Sequence, residues 1–207
     1  MNGASSLRRV LQVLALAVSL ATPALSLADA PALAGAALRD ALQRGGYVLY
    51  FRHGATDFGQ SDEKMTGYEN CAQQRNLTAR GRADARAIGA ALGRLRIPVT
   101  TVLASPFCRT RETAELVFGH ATTDVRVRGG PAQTDDAQRY APLRALLSTP
   151  VARGSNVAIV SHGNPFHALA GGPYLAEGEM AVVEPLGPTA GFRIVAKVAP
   201  GGWDALQ

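Results

Sequence analysis

The stretch YVLYFRHGATD, residues 47–57, decides how the rest of the chain is read. Tyr47, Val48, Leu49, Tyr50 and Phe51 form an unbroken apolar run after Gly45-Gly46, and Arg52, His53 and Gly54 follow at once. A short, continuous apolar run bounded by glycines reads as a strand buried on both faces. A cation and an imidazole at its end are then carried to the carboxyl rim of a parallel sheet, where open α/β sheets bind ligands.

Working outward, strand and helix patterns alternate. Residues 31–43 predict a short Ala/Leu helix before the strand at 47–51. Residues 54–76 are polar and turn-rich, a loop long enough to suggest function. Residues 78–95 predict a helix capped by Thr78, with Ala83, Ala87, Ile88, Ala91, Leu92 and Leu95 at helical spacing. A strand at 100–104 precedes a helix expected to open at Ser105-Pro106. DVRV (124–127) predicts a short strand, 136–148 a helix, 156–160 a strand and PFHALAG (165–171) a short helix. MAVVE (180–184) and FRIVAKV (192–198) predict a closing hairpin at one edge. This order predicts an α/β fold, a three-layer sandwich whose mostly parallel central sheet has helices on both faces.

Composition narrows the function. The chain has 207 residues, 47% of them hydrophobic, enough for one domain with a real core. Net charge is +5, and all but Lys64 and Lys197 of the 21 basic residues are arginines. The arginines form no run longer than a pair and only 6% of residues are aromatic, which argues against nucleic acid as a partner. Residues 1–30 have the order of an export signal: Arg8-Arg9, an uncharged apolar stretch, then Ala28-x-Ala30. Pro23 and the shortness of the run argue against a membrane span. The expected mature domain is therefore 31–207, periplasmic or secreted, without a stable membrane anchor. Both general secretion and twin-arginine export fit. Cys71 and Cys108 leave three readings, a disulfide, a metal pair or two separate thiols. An even count in an exported chain without C-x-x-C favours the disulfide.

Three strand ends carry the chemistry. VLYF runs into Arg52-His53-Gly54, TVLA into Ser105-Pro106-Phe107-Cys108-Arg109, and VAIV into Ser161-His162-Gly163-Asn164. Two arginines and two histidines at one rim suit a dianion, and a phosphoryl group above all. Arginine forks match phosphate oxygens. A neutral imidazole is a competent nucleophile. A second imidazole can meet the charge that develops in transfer.

At this point the chain resembles the histidine phosphatase superfamily, the phosphoglycerate-mutase-like fold. The resemblance rests on FRHGATD, NLTARGRADARAIGAAL, SPFCRTRETA and VSHGN, in family order over most of residues 47–170. It implies His53 as the nucleophile phosphorylated at Nε2. It implies Arg52, Arg109 and His162 as the phosphate pocket, with Thr56 and Asn164 contacting substrate. It implies no cofactor and no metal. A Cys71–Cys108 bridge would tie the loop after His53 to the helix of Arg109.

The proton donor departs from the pattern. Gly163 stands where one branch has an acid after the second histidine, and VRGGPAQTDDAQRYAP (127–142) has no Glu. Glu179 and Asp57 are the expected candidates, ahead of Asp135 and Asp136, whose place suits a helix start. The leading reading is an exported phosphomonoesterase acting on a small phosphorylated substrate. A phosphomutase would need covering segments for which the chain has little room. A phosphate-binding protein without activity is the other alternative. A serine hydrolase fails for want of G-x-S-x-G, with Ile159 where the first glycine belongs. The sequence carries no signal for substrate identity or oligomeric state.

Overall fold

The computed structural model describes residues 32–128 and 135–207, all within the unit Pro31–Gln207. Residues 1–30, where the sequence predicts an export signal, lie outside the described residues. Six strands form one sheet: β1 (Val48–Arg52), β2 (Val99–Ala104), β3 (Thr122–Thr123), β4 (Asn156–Ser161), β5 (Met180–Gly187) and β6 (Gly191–Val198). Their spatial order is β3-β2-β4-β1-β5-β6. The pairs β1–β4, β2–β4 and β2–β3 are parallel, while β1–β5 and β5–β6 are antiparallel. The hairpin at one edge is where the sequence places it.

Alternation along the strands builds the layers. Leu49 and Phe51 of β1 face one core, with α1 (Gly35–Arg44), α2 (Ala79–Arg94) and α3 (Cys108–Phe118) packed there. In that core Phe51 stacks on Trp203 and meets Phe118 edge-on. Val48 and Tyr50 face the other core, with Leu143 and Leu147 of α5 (Ala141–Ser148) and Phe166 of α6 (Gly163–Ala170). The fold is the expected three-layer α/β sandwich.

Two ends of the sheet differ in kind. At the amino end the buried Asn156 donates to the carbonyls of Leu42 and Pro98, and its Oδ1 accepts from the Tyr47 amide. One amide side chain thus joins α1, the approach to β2 and the start of β1. At the carboxyl end, continued ladder bonds hold the site: the His53 amide donates to Ser161 O and the Ser105 amide to Val160 O.

The structure corrects three expectations. The helix after β2 opens at Cys108, not at Ser105-Pro106. The Ser105 hydroxyl is committed to His162 and so does not cap it. DVRV is a 3-10 turn over Val125–Val127, because the Asp124 carboxylate accepts from the Arg126 amide and closes the chain on itself. Residues 136–148 form two helices, α4 (Asp136–Arg139) and α5, broken at Tyr140. Pro142, lacking an amide donor, prevents one continuous helix.

Candidate active site

The ends of β1, β2 and β4 lie level, with Arg52 opposite Ser161 and Ala104 opposite Val160. A cavity of about 240 Å³ opens beyond them, lined by Arg52, His53, Arg109, His162 and Asn164 among others. The four residues expected to converge do so, and Asn164 joins them.

Two glycines make the approach possible. A Cβ on Gly81 would lie 2.2 Å from Ala55 O, so only glycine lets α2 press against the loop leaving His53. A Cβ on Gly163 would meet the Tyr174 ring at 3.0 Å and Arg52 Cδ at 3.5 Å. There is little room at that position for the acid that the other branch carries.

His53 is 2% exposed. Its Nδ1 lies 2.9 Å from Gly54 O, and a carbonyl can only accept, so Nδ1 holds the proton. That leaves the lone pair on Nε2, as a nucleophile requires. Burial drives its pKa down to about 3; the Gly54 bond opposes this, and the charges of Arg109, Arg52 and Arg75 reinforce it. The ring is therefore neutral at any ordinary pH. His162 stands edge-on to it with ring centroids 5.6 Å apart. Its Nε2 is 2.8 Å from Ser105 Oγ. Burial, then the neighbouring His53 and Arg109, hold its pKa well below the usual imidazole value. Beneath the floor the buried Tyr50 hydroxyl donates to His162 O, fixing the strand end from below.

The guanidiniums are fixed as firmly. Arg52 Nη1 donates to Leu175 O at 2.7 Å. Arg109, 5% exposed, donates through Nη1 to Asp62 Oδ1 at 3.0 Å. The Gly54 amide donates to Thr113 Oγ1, which in turn donates to Arg109 O, so α3 and the His53 loop are locked together. The buried Nε atoms of Arg52, Arg75 and Arg109 have no hydrogen-bond partner. All three side chains line the one cavity.

Arg75 was not foreseen. It comes from the long loop, whose path the sequence does not reveal. The loop is pinned by the Cys71–Cys108 disulfide, present as expected. It is pinned further by Gln74, which accepts from the Cys108 amide and donates to Tyr68 O, and by the Arg75 amide, which donates to Asp62 Oδ1 at 2.9 Å. Burial pushes the Asp62 carboxyl up, but the Arg75 amide and Arg109 outweigh it and hold its pKa below the usual range. Asp62 is thus a fixed anion, not a proton donor.

Neither expected proton donor reaches the cavity. Asp57 is exposed and accepts from the Gly59 amide and Gln60 Nε2, closing a turn. The Glu179 carboxylate accepts from the Ala176 amide at 2.7 Å, and its backbone O accepts from the Arg52 amide. Asp135 caps α4 through the Gln138 amide. Thr56 is buried but points away from the cavity, donating through Oγ1 to Glu177 Oε1 at 2.6 Å.

Glu177 is the acid the sequence reading missed. Its other oxygen accepts from the Thr56 amide, and it lies 3.6 Å from Arg52 Nη2 and 3.9 Å from His53 Nδ1. It sits behind the nucleophile, on the protonated edge of the ring, and not among the cavity-lining residues. No carboxylate lines the cavity among the described residues.

A family sequence profile described as "Histidine phosphatase superfamily (branch 1)" matches residues 48–132. The protein histidine phosphatase SixA, solved with tungstate, is 23% identical, with a TM-score of 0.53 over 74% of this chain and 97% of that one. A mycobacterial glucosyl-3-phosphoglycerate phosphatase, solved with VO3, is 16% identical, with a TM-score of 0.52 over 72% of this chain and 96% of that one. At these identities the structural likeness speaks for the fold. No curated protein sequence matches significantly.

Proposed function

We propose that this chain, which carries the sequence signature and the fold of the histidine phosphatase superfamily, is an exported phosphatase working through a phosphohistidine on His53. The observation that carries the reading is a neutral imidazole, its tautomer set by Gly54 O, at a cavity lined by Arg52, Arg75 and Arg109. Tungstate and VO3, held by the two neighbours, are tetrahedral or phosphate-like oxyanions of the kind this pocket suits.

In the first step Nε2 attacks phosphorus and the bond to the leaving group breaks. Arg52, Arg75 and Arg109 hold the equatorial oxygens, whose charge needs fixed donors. Nδ1 keeps its proton throughout, so the phosphorylated ring bears positive charge, and Glu177 at 3.9 Å offsets it. Water then attacks phosphorus, phosphate departs and Nε2 regains its lone pair. Export rests on residues 1–30, and the mature chain is expected to begin near Pro31. N-terminal sequencing of the secreted fraction checks this; retention of Met1 there would overturn it.

The empty place for a carboxylate favours a second reading of the substrate. A leaving group that needs little protonation, such as an aryl oxide or the nitrogen of a phosphohistidine, suits this cavity better than an alkoxide. The name of the SixA neighbour, a protein histidine phosphatase, agrees with that. Rapid labelling with a radioactive aryl phosphate should give acid-labile phosphoprotein in wild type and none in His53→Ala. Label persisting in His53→Ala would show another nucleophile. Turnover of aryl phosphate and phosphohistidine peptide should exceed that of a simple alkyl phosphate; equal rates would reject the second reading alone.

A further inference from the structure

The two sulfurs of the Cys71–Cys108 bridge stand in unlike surroundings. Cys71 is exposed, at the start of a 3-10 turn over Cys71–Gln73. Cys108 is 5% exposed and is the first residue of α3. An open cavity of about 590 Å³ borders the bridge, lined by both cysteines, Arg82, Arg111, Glu112 and Glu115 among others. It shares no lining residue with the active-site cavity, whose wall includes Arg75, Arg128 and Arg139. A thiol can therefore reach Cys71 without entering the phosphate pocket.

Arg111 distinguishes the sulfur that can leave. Its Nη2 lies 3.3 Å from Cys108 Sγ and 3.9 Å from Cys71 Sγ. The same nitrogen donates to Tyr68 O at 3.2 Å, and Nη1 lies 3.6 Å from the exposed Glu69 carboxylate, so the guanidinium is held between the long loop and α3. Tyr68 O, 3.5 Å from Cys108 Sγ, also accepts from Gln74. The Glu112 carboxylate is turned to Arg82 instead. Thiolates are favoured beside arginine and at helix N-termini, where the helix dipole is positive. A disulfide opens faster when the departing sulfur leaves as a stabilised thiolate.

We propose that Cys71–Cys108 is a thiol–disulfide exchange site, attacked at Cys71 by an external dithiol, and that its opening releases the loop carrying Asp62 and Arg75 from the active site. In the first step the dithiol's thiolate bonds to Cys71 Sγ, the bridge breaks, and its electron pair leaves on Cys108 Sγ beside Arg111. In the second, the other thiol of the dithiol gives up its proton and attacks its own partner sulfur, expelling Cys71, which takes a proton. The dithiol is oxidised to a disulfide and the bridge is reduced by the same two electrons. Gln74 and Arg75 follow the Cys71 turn directly, and Asp62 bonds both the Arg75 amide and Arg109. Loosening the turn thus disturbs two cations of the phosphate pocket at once. The exchange chemistry stands apart from the phosphatase reading; its effect on turnover rests on that reading.

The test is made on the oxidised wild-type chain with dithiothreitol, the thiols trapped by alkylation and counted by mass spectrometry. Reduction should run at least as fast in the native chain as in the urea-unfolded one. Arg111→Gln should slow the native reaction severalfold, and Arg111→Lys should restore it. With glutathione as a monothiol, peptide mapping should find the mixed disulfide on Cys71. Reduction should quicken tryptic cleavage after Lys64, exposed in the long loop, and lower aryl phosphate turnover severalfold; reoxidation should reverse both. Native reduction slower than unfolded, a rate unmoved or raised in Arg111→Gln, or an adduct chiefly on Cys108 overturns the exchange site. Cleavage unchanged by reduction overturns the release of the loop. Quickened cleavage in a chain that turns over no aryl phosphate in either form upholds the inference and removes the phosphatase reading.

Discussion

Removing the Cys71–Cys108 bridge tests how the site is assembled. The bridge joins residues 37 apart in sequence. In the chain-entropy account, closing a loop of that size in the unfolded ensemble stabilises the fold by about 4 kcal/mol. In a domain of this size each kcal/mol moves Tm by roughly 2–4 °C. The double variant Cys71→Ala/Cys108→Ala should therefore melt about 8–16 °C lower by calorimetry, and wild type in a non-thiol reductant should match it. Activity should suffer too, because the same loop supplies Arg75 and Asp62. Its remaining ties include Gln74 to the Cys108 amide, Arg111 to Tyr68 O, and Asp62 to Arg75 and Arg109. With the bridge gone and such bonds left to hold it, kcat/KM for an aryl phosphate should fall about tenfold, short of the 10²–10³ lost when a transition-state donor is deleted outright. A Tm drop below about 3 °C would show that these hydrogen bonds order the loop even in the unfolded reference, and the entropic reasoning would fail.

Three further outcomes follow from the geometry. Below the ordinary imidazole value of 6.5 the unfolded chain binds a proton that folded His53, with its pKa near 3, refuses; stability should thus fall as pH drops through that window. Denaturant titrations at pH 6.5 and 5 should show His53→Asn losing about 2 kcal/mol less than wild type over that interval, and equal losses would contradict the buried neutral ring. Glu177→Gln should slow aryl and alkyl substrates alike, on the order of tenfold or 1.4 kcal/mol; a loss confined to alkyl substrates would make Glu177 the proton donor instead. Gly81→Ala should cost about 1–3 kcal/mol by forcing α2 off Ala55 O, and unchanged stability by denaturant titration would mean the loop yields freely.

What the sequence revealed depended on regular structure. Arg52, His53, Arg109 and His162 could be placed because each stands just past a strand, and strand ends in a parallel sheet are level. Thr78 could be read as a cap because its hydroxyl serves the Gly81 amide at fixed helical spacing. Glu177 was hidden for the opposite reason. It lies two residues from Glu179 in AEGE, and no periodicity tells which acid faces inward. Gly178, at φ +79, turns the chain there, and its amide donates to Arg52 O and His53 O. That turn sends Glu177 behind the nucleophile and leaves Glu179 to close the bend. Arg75, Arg128 and Arg139 come from a loop, a 3-10 turn and a four-residue helix, whose course is set by tertiary ties such as the disulfide.

Asn156 sits at the far rim from the chemistry, and its three bonds hold that rim together without any link to His53. Damage there should be thermodynamically deaf to damage at the cavity. Asn156→Ala, which leaves the Tyr47 amide without its acceptor and takes one donor each from Leu42 O and Pro98 O, should lower the melting point while leaving the rate per folded molecule alone. Paired with Arg109→Ala, its effect on stability should simply add, since distant sites without shared partners behave independently. The protein would then tolerate drift in its durability and in its chemistry along separate axes, one written at each end of the same six strands.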